Sequence, residues 1–279
     1  MKNKNLFVIS TLCYGGIWQN LAWEYAARTG VKNVDLRFDW GAWNALAPEL
    51  MVDEPWHGKW QFSVADLKAE LSRLQVTPVT SFCNTLVYYR FGVDAVKRRI
   101  ELLHKLGIKY CIPAPWPRQL PGNEKVLYDH WKELCDYAEV FGMNLYVETL
   151  GGTMNNAEEC LKTIKNVGRK NLKITFPADN ALLRNVGLNV VDEVNRLGEH
   201  IGVVLLRDIE GEGIWNFPAL GDGAVDFPGM FKALENHGFY GPYVLTLEGH
   251  KGLDNATLEG HHADVLKSIK YLRSIGVWE

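Results

Sequence analysis

The sequence has no long hydrophobic run and no paired cysteine motif. Its longest apolar stretches, such as 6–9 and 203–206, are far shorter than the ~20 residues that a membrane-spanning helix requires. Residues 1–5 lead directly into the first apolar run without a small-residue cleavage site, which argues against a secretion signal. We therefore expect no transmembrane segment and a cytoplasmic location.

The cysteines are few, odd in number and widely spaced. None of the five stands in a CxxC pair, which argues against a disulfide framework or a structural zinc site. This pattern is typical of reduced thiols in the cytoplasm. The five positions are Cys13, Cys83, Cys111, Cys135 and Cys160.

The sequence also lacks an excess of basic charge. Lys and Arg number 30 against 33 Asp and Glu, which gives a net charge of −3, and the densest positive cluster is only 97–99. A protein that binds nucleic acid needs a basic face to neutralise phosphates. We therefore expect neither a nucleic-acid partner nor a membrane partner. No GxGxxG or GxxxxGK[ST] turn follows the first apolar run, since Tyr14-Gly15-Gly16 is too short.

Short β-rich runs alternate with stretches of helical period along the whole chain. About eight such units in 279 residues predict a single (β/α)8 TIM barrel domain spanning 1–279, with an open doubly wound sheet as the alternative. Against that alternative, the first turn lacks the glycines of a nucleotide-binding motif. The predicted strands are 6–10, 33–38, 78–82, 110–113, 145–148, 173–176, 203–207 and 243–248.

Residues typical of helix ends separate the predicted elements. Asn155 and Asn189 each precede a carboxylate by three residues, which predicts helix N-caps. Gly107 and Gly168 end helical stretches. The segment 40–62, after the second strand, is rich in Trp and forms an insertion. It is interpreted as a lid or an oligomer contact, or else as a satellite apolar cluster.

Two carboxylates end apolar strand runs. Glu148 closes 145–148 and Glu248 closes 244–248. In a parallel barrel the carboxyl ends of the strands build the active site. A buried carboxylate needs a cation, a metal or a hydrogen-bonding substrate. The pair is therefore predicted to act as acid and base or to bind a divalent ion, unless each pairs with a neighbouring Arg or Lys.

Further polar residues lie near other predicted strand ends and form a candidate substrate-binding set. Arg207, which precedes Asp208, could hold a substrate hydroxyl or carboxylate, or pair with a carboxylate. His250 lies two residues after Glu248 and faces the same way if the strand continues. The substrate-binding candidates are Asn84, Asn180, Arg207 and His250, with Asp179 as a further strand-end carboxylate.

Four stretches carry a family resemblance: LYVETLGG, LRDIEG, LGDGAVD at 220–226, and HGFYGPYVLTLEG. Together with the order of the units, they resemble the xylose isomerase-like TIM barrels. This superfamily contains sugar isomerases, epimerases and sugar-acid dehydratases, as well as an apurinic endonuclease branch. The resemblance covers most of the chain and is strongest in its C-terminal third. It implies a divalent metal (Mn, Mg or Co) held by a Glu, an Asp, a His and a Glu, with the two glutamates also acting as acid and base.

Carried over to this chain, the resemblance gives an incomplete metal site. Glu148 and Glu248 match the first and last ligands. The position of the family's His is occupied by Leu205, which cannot bind a metal, and the Asp is absent or displaced to Asp179. Two versions stay open: a remodelled metal site of Glu148, Asp179 and Glu248, with or without His250, and a site with no metal.

The sequence thus predicts an isomerase or epimerase that transfers a proton next to the carbonyl of a sugar or polyol. Without a metal, Arg207, Asn84 or Asn180 would stabilise the enediolate. A sugar-acid dehydratase is an alternative, and so is a barrel that has lost catalysis and binds carbohydrate or a partner subunit. The endonuclease branch is disfavoured because it needs a cluster of histidines and carboxylates. The absence of a glycine-rich phosphate loop favours an unphosphorylated sugar, and a homo-oligomer is left open.

Overall fold

Eight parallel strands form a closed barrel in chain order. A computed structural model describes residues 6–14, 19–37, 64–85, 87–115, 123–248 and 257–278. The predicted (β/α)8 barrel is confirmed, and pairing of the first strand with the last excludes the open sheet. The Trp-rich segment 40–62 lies outside the described residues. The strands are β1 Phe7–Ile9, β2 Asn33–Arg37, β3 Thr77–Thr85, β4 Tyr110–Pro115, β5 Asn144–Glu148, β6 Leu172–Pro177, β7 Ile201–Leu206 and β8 Tyr243–Leu245.

Helices surround the barrel and connect its strands. In the described part of the chain, β6 is followed by two helices, the first of which begins directly at the strand end. None of the helices described has the length and apolarity to cross a membrane. The helices are α1 Gln19–Arg28, α2 Val64–Arg73, α3 Arg90–Leu106, α4 Glu124–Val140, α5 Ala157–Val167, α6 Ala178–Arg184, α7 Val190–Leu197, α8 Phe227–Asn236 and α9 Leu258–Ser274.

The apolar core has an outer and an inner layer, because successive strand residues point to opposite faces. On β7, Val204 and Leu206 pack against the helices, whereas Val203 and Leu205 fill the inside of the barrel. We call this inner set the apolar plug. It comprises Val8, Phe82, Ile112, Tyr146, Val203, Leu205 and Val244.

The last strand is shorter than predicted. β8 ends at Leu245 and not at Glu248, because its neighbours stop at Ile9 and Leu206. Thr246 still donates its backbone N–H to Leu206 at 3.0 Å, after which the ladder ends. Glu248 therefore lies just beyond the paired strand, at the carboxyl end of the barrel.

Candidate active site

The centre of the site is the guanidinium of Arg207, which follows β7 and is 3% exposed. Its Nε donates to Asp179 Oδ2 at 2.5 Å, and its Nη1 donates to Glu248 Oε1. Its Nη2 lies 3.9 Å from Glu148 Oε1. Three carboxylates from three different parts of the barrel thus converge on one cation. The sequence indicated these four residues separately, and the structure places them in one cluster, which we call the arginine cluster.

Its position follows from the alternation on β7. Leu205 is part of the apolar plug, and Arg207, two residues later, continues the same inward face. The charged cluster therefore lies directly above a dry apolar layer. Removal from water makes electrostatic interactions stronger and makes unpaired charge costly.

Burial shifts the acidity of the carboxyl groups. Desolvation raises the pKa of Glu148 to about 7, although the positive charge of Arg207 opposes this shift. Desolvation also raises the pKa of Asp179 to about 6, again against the effect of Arg207. The side chain of Glu248 is more accessible, at 26% exposed. Near neutral pH, Glu148 is therefore able to take up and release a proton.

Of the other predicted substrate-binding residues, the structure describes the side chain of Asn180 but only the backbone of Asn84. Asn180, in the first turn of α6, directs its Nδ2 to the Thr149 backbone oxygen at 3.2 Å and lies 3.4 Å from Glu148 Oε1. Asn84 lies within β3 opposite Ala114, and its side chain is not in the described part. His250 lies outside the described residues.

Sequence reasoning missed two charged residues on β2. Asp35 is fully buried and accepts from the Thr11 backbone at 2.5 Å and from Ser10 Oγ at 3.2 Å. Desolvation raises its pKa to about 6. The guanidinium of Arg37 lies 5.5 Å from the centre of the Phe82 ring, and its charge acts on Glu148. Charges at alternate positions of an otherwise apolar strand were the signal that could have found them.

A third missed residue is Arg184, at the end of α6. Its charge interacts with those of Glu148, Asp179, Arg207 and Glu248. The sequence offered no signal for it, because it lies well past the end of β6.

Asp208 has a structural role beside the site. Its carboxylate accepts backbone N–H groups from Ile209 at 2.9 Å, Gly221 at 2.9 Å, Gly223 at 3.0 Å and Val225 at 3.1 Å. Four such bonds fold the loop between β7 and α8 around one side chain. We call this arrangement the Asp208 loop anchor, and it explains the LGDGAVD segment.

These residues do not fit the divalent metal that the family resemblance implies. Hard cations prefer carboxylate oxygens, and Glu148, Asp179 and Glu248 do converge. However, Arg207 binds or approaches all three, so an added cation would compete for the same oxygens and be repelled by the guanidinium. Leu205, which the resemblance puts at the position of the family's His, is part of the apolar plug. Within the described ranges, no group of three or more His, Cys, Asp and Glu is arranged to hold a metal ion.

A sequence model of the xylose isomerase-like TIM barrel matches residues 23–275. The chain belongs to this family. The motifs that suggested the resemblance all lie within the matched region, so this prediction is confirmed. No curated protein matches the sequence of the chain.

Solved structures of the same barrel include several sugar epimerases. D-allulose 3-epimerase from Methylomonas sp., in complex with D-allulose, is 20% identical over 97% of each chain, with a TM-score of 0.72. The IolI protein with a zinc atom is 19% identical over 99% of each chain, with a TM-score of 0.76. The 3-keto-D-glucoside 4-epimerase YcjR from E. coli is 16% identical over 91% of this chain and 94% of its own, with a TM-score of 0.67. At these identities the comparisons show a shared fold.

Proposed function

We propose that this protein is an epimerase or isomerase of a sugar, or of a polyol that carries a keto group, and that it moves a proton at the carbon next to the carbonyl. Glu148 and Glu248 are its acid and base. The observation that carries the proposal is the position of both carboxylates around one buried guanidinium at the carboxyl end of a xylose isomerase-like barrel.

The chemistry follows from the acidity and charge of the cluster. A general acid or base works best when its pKa lies near the working pH, and burial raises the pKa of Glu148 to about 7. One glutamate removes the proton next to the carbonyl, and the other returns a proton to the intermediate. The negative charge that develops on the substrate oxygen is stabilised by the positive charge of Arg207 and by the Asn180 amide.

Here the guanidinium of Arg207 takes the place that a divalent cation holds in a metal-dependent site. It is fixed by Asp179 on one side and Glu248 on the other, so its charge is positioned before substrate binds. Support for a keto-sugar substrate comes from the relatives, whose names include epimerases of D-allulose and of a 3-keto-D-glucoside.

Proton exchange with solvent tests this proposal. We expect incubation with ketohexoses in D2O to give deuterium at the carbon next to the carbonyl, followed by proton NMR. Glu148→Gln and Glu248→Gln should each lower the exchange rate about 100-fold or more, since each removes a proton-transfer group. The control is Glu139→Gln, because Glu139 is an exposed glutamate on α4. Exchange that persists in both site variants would contradict the assigned roles, and no exchange with any sugar would favour the non-catalytic barrel.

A further inference from the structure

Arg184 has two buried nitrogen atoms, Nε and Nη2, without a hydrogen-bond partner among the residues that the structure describes. It is the last residue of α6. A guanidinium carries five N–H donors and keeps its charge at any ordinary pH. Buried donors without an acceptor cost free energy, and charged donors cost more than neutral ones. The described part of the chain therefore supplies no acceptor group for these two N–H bonds.

The two unpartnered nitrogen atoms form a matched pair. The Nε–H and Nη2–H bonds lie along one edge of the guanidinium and are nearly parallel, which suits the two oxygens of a carboxylate or phosphate. The chain uses this edge elsewhere: Arg169 donates to Asp136 from Nε at 2.5 Å and from Nη2 at 2.9 Å. Arg73 binds Glu70 with the same two atoms, both at 2.8 Å.

The neighbouring carboxylates do not occupy this edge. The charge of Arg184 interacts with those of Glu148, Asp179 and Glu248, so it lies close to the arginine cluster. Yet these carboxylates are directed to Arg207, and no carboxylate among the described residues forms an ion pair with Arg184. The edge is therefore left for a group that is not part of the described chain.

Asp179 contributes a third unpartnered atom. Its Oδ2 accepts from Arg207, but its buried Oδ1 has no hydrogen-bond partner in the described ranges. Asp179 lies in the first turn of α6 and Arg184 at its end. A ligand with a hydroxyl group and an anionic group would satisfy both, because the hydroxyl donates to Oδ1 and the anionic oxygens accept from Arg184.

We infer that Arg184 and Asp179 form a subsite for the anionic end of a hydroxylated substrate, either a sugar carboxylate or a sugar phosphate. The inference rests on the proposed function and narrows its substrate class to acidic sugar derivatives. The planar carboxylate matches the Nε and Nη2 edge of Arg184 directly.

Equilibrium binding of three hydroxylated ligands that lack an aldehyde or ketone group tests the subsite separately from turnover. Isothermal titration calorimetry with D-sorbitol, D-gluconate and D-sorbitol 6-phosphate compares a neutral ligand, a carboxylate and a phosphate. We expect at least one anion to bind about tenfold or more tightly than sorbitol, and the tighter anion identifies the source of the charge. Arg184→Gln should abolish this preference. Arg184→Lys should retain only part of it, because a lysine cannot donate two parallel bonds.

The control is Arg273→Gln, which removes the same charge from an exposed position on α9 and should keep the full preference. Circular dichroism and melting temperature check that each variant is folded, and the lysine variant keeps the test decisive if Arg184→Gln does not fold. Equal affinities for the three ligands in the wild type, including binding of none of them, would overturn the inference. So would an anion preference that survives in Arg184→Gln. An anion preference without deuterium exchange into any keto-sugar, acidic keto-sugars and keto-sugar phosphates included, would contradict the proposed proton transfer and still support the subsite.

Discussion

Arg207 is the residue around which the candidate site is arranged. The sequence marked it as a residue that either holds substrate or pairs with a carboxylate, and its contacts with Asp179 and Glu248 are of the second kind. No spacing rule could choose between these roles, because the two partners lie 28 and 41 residues from Arg207 in the sequence. The resemblance puts Leu205 at the position of the family's His, and the structure adds that this leucine belongs to the apolar plug.

Because an arginine occupies the centre of the site, we expect divalent metals to leave the stability of the protein unchanged. We expect 1 mM Mn²⁺, or dialysis against EDTA, to leave the melting temperature of the wild type unchanged. In Arg207→Ala, three carboxylates remain close together without their cation. This variant should lose about 3–5 kcal/mol of stability and should be stabilised by added Mn²⁺. Thermal shift assays measure both effects, and a clear Mn²⁺ stabilisation of the wild type would contradict the prediction.

The raised pKa of Glu148 predicts a specific pH dependence of stability. The folded protein holds a proton on Glu148 up to about pH 7, whereas an ordinary glutamate, with a pKa of 4.5, releases it earlier. The contribution of this residue to the free energy of unfolding is therefore fully present below pH 4.5 and is lost as the pH rises through 7. Glu148→Gln has no carboxyl group to titrate, so the free energy of unfolding does not fall at this residue as the pH rises. The variant should gain on the order of 2 kcal/mol relative to wild type between pH 5 and pH 8.

Urea unfolding at the two pH values measures this gain, with Glu139→Gln as the exposed control. A stability difference between Glu148→Gln and wild type that is the same at pH 5 and pH 8 would show that burial does not shift this carboxyl group.

Among the elements, the helix ends marked by Asn155, Asn189, Gly107 and Gly168 were readable from sequence to within a residue. Asn189 caps α7 as predicted, accepting from the Asp192 backbone at 3.1 Å. The cap of α5 was predicted at Asn155, but the structure has it at Asn156. Asn156 accepts from the Glu159 backbone N–H at 3.1 Å, and the Asn155 side chain donates to Asn185 at 2.7 Å. The local pattern therefore locates the cap to within one residue.

The Asp208 loop anchor leads to a prediction for the loop between β7 and α8. A Cβ atom at Gly223 would lie 2.3 Å from Asp208 Oδ1 and 2.4 Å from the Ile209 backbone oxygen. Gly223→Ala should therefore displace the carboxylate and cost about 2–4 kcal/mol of stability, measured by urea unfolding. The control in the same loop is Gly211→Ala, whose Cβ would meet the Ile214 side chain at 3.1 Å. Equal stabilities for the two variants would contradict the prediction, because they would mean that the Asp208 loop anchor accommodates a Cβ atom at Gly223.

At the scale of the whole molecule, the barrel was predictable because alternating strands and helices of regular length leave few architectures. The pairing of β1 with β8 closes the sheet and fixes the end of β8 at Leu245. The sequence did not reveal this end, because the apolar run continues up to Glu248. The convergence of Glu148, Asp179 and Glu248 on one cation is also a property of the closed barrel. The roles proposed for 40–62 and His250 stay predictions, since both lie outside the described residues.

The cation at the centre of this barrel is a side chain, and this affects how the site is completed. A metal-centred enzyme passes through an empty form, and its occupancy follows the concentration of the free ion. Arg207 is instead synthesised with the chain, in a fixed ratio of one per barrel. The supply of trace metals in the cell therefore has no bearing on how many of these molecules carry a complete arginine cluster.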